Sequence, residues 1–150
     1  MKTFENKVAI VTGGSFGIGR ATAIAFAKNG AKVVVADCFE DQETLSLIKA
    51  AGGEGIFFKC DVSKASDVKA LIVKTIATFG RLDFAFNNAG IEGTSGTTTE
   101  CSEENWDKTI GVNLKGVWLC MKYEIPELLK QGKGVIVNTA SIAGLVGYTG

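Results

Sequence analysis

Short aliphatic runs alternate with segments of helical period along the whole chain, and this alternation limits the fold more than any other feature. Lys7-Val8-Ala9-Ile10-Val11-Thr12 reads as a buried strand, and Lys32-Val33-Val34-Val35-Ala36 as a second. Ile56-Phe57-Phe58 lies in a third, Leu82 to Phe86 forms a fourth and Gly134 to Thr139 a fifth. Strands with so little polar surface must be covered on both faces, as in a parallel sheet. The segments between them have helical character. Ile18 to Asn29 is stopped by Gly30, and a second helix opens on Asp41-Gln42-Glu43 and ends at Gly52-Gly53. In the third, Val68, Leu71, Ile72, Ile76 and Phe79 form one apolar stripe, with Ser63 placed to cap it and Gly80 to end it. A long helix is expected from Ser102 to Gln131, bent or split at Pro126. Strand-helix alternation with right-handed crossovers predicts the α/β class. The expected architecture is a doubly wound parallel sheet in three layers, α/β/α, with strand order 3-2-1-4-5.

The chain has 150 residues, enough for one domain, 1–150, with a real core. Lys and Arg number 16, as do Asp and Glu, so the basic excess of a nucleic-acid binder is missing. His is absent, which rules out a Ser-His-Asp triad, a Cys-His dyad and any His-containing zinc site within the chain. Cys38, Cys60, Cys101 and Cys120 are widely spaced with no CxxC pair, so free thiols are expected and no metal site. The apolar run Val8 to Val11 is too short for a signal-peptide core or a membrane span. A soluble cytoplasmic protein is the expectation. Gly is enriched, at 19 residues against a single Pro, which points to tight turns at the ends of regular elements.

The first strand runs into Thr12-Gly13-Gly14-Ser15-Phe16-Gly17-Ile18-Gly19, a GxxxGxG loop opening a helix. Gly13 permits the turn, Gly17 lets a phosphate approach the backbone, and Gly19 lets the helix pack close. The helix N-terminus then offers free N–H groups to a pyrophosphate. No Lys-Ser or Lys-Thr closes the motif as a P-loop would require. The second strand ends in Asp37, 18 residues after Gly19, placed to accept hydrogen bonds from both hydroxyls of an adenosine ribose. An acid there repels a 2′-phosphate. Cys38 follows it, Phe16 stands where a cation in the loop would have helped, and the next cation is Lys49. NAD is therefore expected over NADP.

With Thr12 to Gly19, four more motifs resemble those of the classical short-chain dehydrogenase/reductase family. Cys60-Asp61-Val62 resembles its adenine-holding Asp-Val segment. Asn87-Asn88-Ala89-Gly90 resembles its NNAG signature. Asn113 lies in Val112-Asn113-Leu114-Lys115-Gly116, and Ser141 in Asn138-Thr139-Ala140-Ser141-Ile142-Ala143-Gly144. The resemblance implies a Rossmann dinucleotide-binding domain, extending from Lys7 to Gly150 and incomplete at its C-terminus. Cofactor-binding positions under it are Gly13, Ser15, Phe16, Gly17, Ile18, Gly19, Asp37, Cys60, Asp61, Val62, Asn88, Ala89, Gly90 and Thr139. Catalytic positions are Ser141, bonding the reacting oxygen, and Asn113, whose helical turn holds a water. Asn88 also has a structural reading, tying strands together, and Asp61 has one as the cap of the following turn.

The resemblance further implies hydride transfer between a secondary alcohol or ketone and the nicotinamide, a small-molecule substrate, and a homotetramer or homodimer with Trp106 or Trp118 near packed surfaces. Glu92, Leu145, Val146 and Tyr148 are candidates for the substrate pocket. The family's acid/base is a Tyr about 13 residues after the Ser, with a Lys four residues further on. This chain extends nine residues past Ser141; Tyr148 lies too close to it, and no Lys follows. The expectation is an N-terminal portion of a longer enzyme, inactive by itself. A non-catalytic NAD(H)-binding module is the alternative. A methyltransferase, which also sets an adenosyl group against a strand-end acid, fits GxxxGxG and NNAG less well.

Overall fold

The computed structural model describes residues 3–40 and 42–147. Five parallel strands form one sheet in the order β3-β2-β1-β4-β5. They are β1 (Val8–Thr12), β2 (Lys32–Asp37), β3 (Glu54–Lys59), β4 (Phe84–Asn87) and β5 (Val135–Asn138). The helices are α1 (Gly17–Lys28), α2 (Glu43–Ala50), α3 (Ala65–Phe79), α4 (Glu103–Ile110) and α5 (Val117–Lys130), with a π-helical segment, Gly111–Gly116, joining the last two. The expected fold class and strand order are both observed.

Successive residues on a strand face opposite sides, so each strand feeds two cores. On one side Ile10, Val34 and Ala36 pack with Val68, Leu71 and Ile72 of α3 and Leu119, Cys120 and Leu128 of α5. On the other, Val11, Val33 and Val35 pack with Ala23 and Ala27 of α1 and Ile48 of α2. The small alanines of α1 let it lie close to the sheet. At β5 only one face is covered: Ile136 packs inward, while Val135 and Val137 are exposed.

Two local expectations change. Ser63 does not cap α3. Lys64 holds the N-cap position, and Ser63 instead donates from its backbone N–H and hydroxyl to Asp61 Oδ1, at 3.0 and 2.7 Å. The turn before α3 thus consumes the hydroxyl that would have capped it. Pro126 lies inside α5 without ending it, and the irregularity of the long helix falls earlier, at Gly111–Gly116. A Cβ on Gly116 would lie 2.8 Å from Val62 Cγ2, so the helix passes here against the turn after β3, and only a glycine permits it. The acid run at the start of α2 is represented by Glu43 in its first turn, while Asp41 lies outside the described residues. Ser102 does cap α4, accepting from Asn105 N–H at 3.2 Å.

Candidate active site at the strand ends

Parallel strands all end on the same edge, and the loops leaving β1 to β4 enclose a cleft there of about 560 Å3. Its first wall is the glycine loop. Gly13 takes a φ of +63° and Gly17 one of +51°, both in the left-handed region. A Cβ on Gly19 would stand 2.1 Å from the Gly13 carbonyl oxygen, so the first turn of α1 packs directly on the loop. Phe16 occupies the N-cap of α1 without a side-chain cap, and no acidic residue lies in the first turn. The free N–H groups at that end are left to an anion.

The loop is braced from behind. Arg20 shares its Nε–H between Ser15 O at 2.8 Å and Thr44 Oγ1 at 3.0 Å, and its Nη1 pairs with Glu43 Oε2 at 2.7 Å. Buried Thr44 donates in turn to the Gly14 carbonyl at 3.2 Å. Neither Arg20 nor Thr44 was singled out from the sequence. The available signal was a cation in the first turn of α1, where the helix dipole disfavours one unless something else binds it.

Asp37, at the end of β2, faces the cleft. Its Oδ2 accepts the Ser15 N–H at 3.1 Å and its Oδ1 the Phe39 N–H at 3.2 Å, which fixes the carboxylate while leaving lone pairs on both oxygens. Ser15 is buried; its hydroxyl donates to Phe39 O at 3.2 Å. Ile18 is 68% exposed and is not among the residues that line the cleft.

Cys60, Asp61 and Val62 line the side below β3. Besides the two bonds from Ser63, Asp61 pairs with Lys64 Nζ at 3.2 Å. Burial would raise the Asp61 carboxyl, but the bonds from Ser63 and Lys64 outweigh it and hold the group below its usual range. Asp61 therefore organises the turn and lines the cleft at once. Asn88, Ala89 and Gly90 form the wall beyond β4. Asn88 Nδ2 donates to Thr12 O and Gly13 O, at 3.3 and 3.4 Å, and its Oδ1 accepts the Thr139 hydroxyl at 3.2 Å. One amide thus ties the ends of three strands. Thr12 Oγ1 accepts the N–H groups of both Asn88 and Ala89, at 3.0 and 3.1 Å.

The two catalytic candidates lie outside the cleft lining. Asn113 sits in the π-helical segment and holds the β4 loop by a two-way pair with Ile91: it accepts the N–H at 2.9 Å and donates to the carbonyl at 2.7 Å. Ser141 caps a short 3-10 turn, Ile142–Gly144, after β5; its Oγ accepts the Ala143 N–H at 3.2 Å, leaving the hydroxyl proton to donate. Leu145 and Val146 are exposed beside it, and Tyr148 lies outside the described residues. Among the described residues no cluster of His, Cys, Asp or Glu is arranged to hold a metal. No helix among them is long and apolar enough to cross a membrane.

Comparison with known proteins gives the geometry a lineage. The short chain dehydrogenase family model matches residues 7–150. The chain is 45% identical to 2,5-dichloro-2,5-cyclohexadiene-1,4-diol dehydrogenase from Sphingobium indicum, over 98% of this chain and 59% of that protein. It is 46% identical to cyclohexanol dehydrogenase from an Acinetobacter species, over 96% of this chain and 58% of that protein. The crystal structure of levodione reductase superimposes with a TM-score of 0.89 at 38% identity, covering 97% of this chain and 58% of that one. The chain thus spans somewhat under two thirds of the length of these relatives. Family model, strand order and strand-end cleft agree: this chain belongs to the short chain dehydrogenase family and has its Rossmann fold.

Proposed function

We propose that this chain is the cofactor-binding portion of an NAD-dependent oxidoreductase that exchanges hydride between a secondary alcohol, or the matching ketone, and the nicotinamide ring. The observation that carries the cofactor half is the Asp37 carboxylate, aimed by Ser15 and Phe39 into the cleft beside an uncapped helix N-terminus. Such an acceptor suits a pair of ribose hydroxyls and repels a 2′-phosphate. The nearest cation of the loop, Arg20, is engaged by Ser15, Thr44 and Glu43. The relatives named for cyclic alcohols support a ring-borne secondary alcohol as substrate.

The glycine loop and the α1 N-terminus would hold the pyrophosphate, Asp37 the adenosine ribose, and Asp61 with Val62 the adenine. The Ala89 and Gly90 backbone would border the nicotinamide-side ribose. Bound there, the nicotinamide supplies the hydride acceptor. Ser141 donates its free hydroxyl proton in a hydrogen bond to the reacting oxygen and orients the carbon that carries the hydrogen. Asn113 keeps the β4 loop and the π-helical turn in one piece, where a water of the proton path is held. In this reading the protein is cytoplasmic and homo-oligomeric, the α4 and α5 surface that carries Trp106 and Trp118 meeting another subunit. The test is titration with NADH and NADPH: NADH binding at least tenfold tighter supports the assignment, and a preference for NADPH overturns it.

A further inference from the structure

β2 and β3 pair in register up to Asp37 and Lys59, and the bond from Cys60 N–H to Asp37 O, at 2.9 Å, closes that last pair. Cys38 and Cys60 are the residues that follow this last pair, each one position past the end of its strand. Cys60 packs in the α3-side core with Val34, Ile56, Ala36 and Phe58, and the alternation of β2 carried one residue past its end directs Cys38 to the same side. Neighbouring strands run about 4.8 Å apart, within the Cα separation of roughly 4.4–6.8 Å that a disulfide spans. Both residues line the cleft, Cys38 exposed and Cys60 buried beneath it, and both thiols are free.

We propose that Cys38 and Cys60 are an oxidisable cross-strand pair, joined by hydroperoxides in a reversible disulfide that closes the nucleotide cleft. The exposed Cys38 sulfur takes the terminal peroxide oxygen, releasing an alcohol (water for hydrogen peroxide) and leaving a sulfenic acid. The Cys60 sulfur then attacks the Cys38 sulfur. Its proton leaves with the displaced hydroxyl as water, and the S–S bond forms. Two thiols are oxidised by two electrons and one peroxide is reduced. A small dithiol reverses the step by exchange.

Closure follows from what flanks Cys38. Asp37 and Phe39 are both hydrogen-bonded to Ser15 of the glycine loop. Drawing Cys38 inward onto a sulfur seated in the core moves the segment that carries both. Burial, then Asp37, raises the Cys38 thiol; burial, then Asp67 and Asp61, pushes Cys60 up to about 12. Neither thiol is primed at neutral pH, so the pair answers sustained peroxide and is slow to alkylate.

The experiment exposes the intact protein to hydrogen peroxide, blocks remaining thiols under acid denaturation, and maps disulfides by peptide mass spectrometry. The expected result is a linked Cys38–Cys60 peptide that disappears on dithiothreitol treatment. It should form in Cys101→Ser and be absent in Cys38→Ser, a change at an exposed position that leaves the core intact. The linked protein should bind NADH at least tenfold more weakly than the reduced protein, with recovery on reduction. Sulfinic acid at Cys38 with Cys60 still free, or a link to Cys101 instead, overturns the proposal, as does unchanged NADH affinity in the linked form. The closing step rests on the proposed cofactor reading. A reduced protein that ignores NADH refutes that reading and with it the closure, while the peptide map judges the linkage separately.

Discussion

Asn87 Nδ2 donates to Glu124 Oε2 across 3.1 Å in the layer between β4 and α5, and Glu124 is fully buried there. The same amide nitrogen donates to Asn138 Oδ1 of β5 at 3.0 Å. Among the described residues Glu124 Oε1 and Asn87 Oδ1 have no hydrogen-bond partner. Burial pushes the Glu124 carboxyl up to about 7, against a smaller lowering by the Asn87 bond. A proton on the carboxyl turns one of two buried acceptors into a donor.

This buried acid predicts a pH-dependent stability. The folded state holds the Glu124 proton up to about pH 7, while the unfolded chain releases it near the ordinary value of 4.5. The contribution is fully present below 4.5, falls as pH rises toward 7 and is flat above. At about 1.4 kcal/mol per unit, the loss reaches about 3 kcal/mol. Glu124→Gln keeps an acceptor for Asn87 and cannot ionise. Urea unfolding at pH 4.5 and pH 8 should show the variant gaining on the wild type by about this amount. Equal differences at the two pH values would contradict the buried neutral carboxyl.

Asp37→Ala removes the acceptor of the Ser15 and Phe39 N–H groups and of the proposed ribose hydroxyls. Hydrogen bonds to a charged acceptor contribute roughly 1.5–3 kcal/mol each. NADH affinity should fall at least tenfold and the gap to NADPH should narrow. Calorimetric titration with both cofactors measures it.

Gly19→Ala and Gly17→Ala separate crowding from backbone strain. The first places a Cβ 2.1 Å from Gly13 O; the second meets open space but sits at a φ of +51°. Gly17→Ala should cost roughly 1–2 kcal/mol. Gly19→Ala should cost more than that and abolish NADH binding, because the loop itself must move. Thermal unfolding of both variants, with NADH fluorescence, tests the order.

Among the described residues Ser141 Oγ is paired only with the Ala143 N–H, and no basic side chain bonds to it. General acid–base catalysis is typically worth 10²–10⁴-fold. Residues 1–150 alone should therefore not turn over cyclic secondary alcohols with NAD, as followed by NADH absorbance. In a protein continued to include a Tyr and Lys base pair, Ser141→Ala should lose most activity and keep its NADH affinity. Robust turnover by the 150-residue chain would require a base not identified here.

α4, the π-helical segment and α5 expose Trp106, Leu114, Trp118 and Leu129, all by more than half. An apolar surface of this kind fits a subunit contact. Light scattering on a protein continued to include the Tyr and Lys pair should show a dimer or tetramer, and Trp118→Glu should shift it toward monomer. A wild-type monomer would remove this assignment.

Much of this molecule was legible from local patterns. Continuous aliphatic strands can be buried only in a two-sided parallel sheet, so Val33 to Val35 already imply helices on both faces. The GxxxGxG spacing at a strand-to-helix turn and an acid at the end of the next strand followed from chain order alone, and Gly13, Gly17 and Asp37 do meet in one cleft. Less legible were the partners. Arg20 reaches Thr44 and Glu43 from another helix, and the Ser63 hydroxyl was diverted to Asp61.

By itself the sequence determined the periodicities, hence the elements, their order and the edge at which the loops collect, because those depend on neighbours within a few residues. It also determined the absence of any His base in the chain. Only the tertiary structure decided which distant groups become neighbours. Cys38 and Cys60 read as unrelated thiols until strand register set them side by side. Glu124 carries no sequence signal beyond its place in the long helix, and packing of α5 on β4 encloses it against Asn87. Register and packing are properties of the whole sheet: each strand's position is set by cores on both faces at once, and no local pattern records the sum.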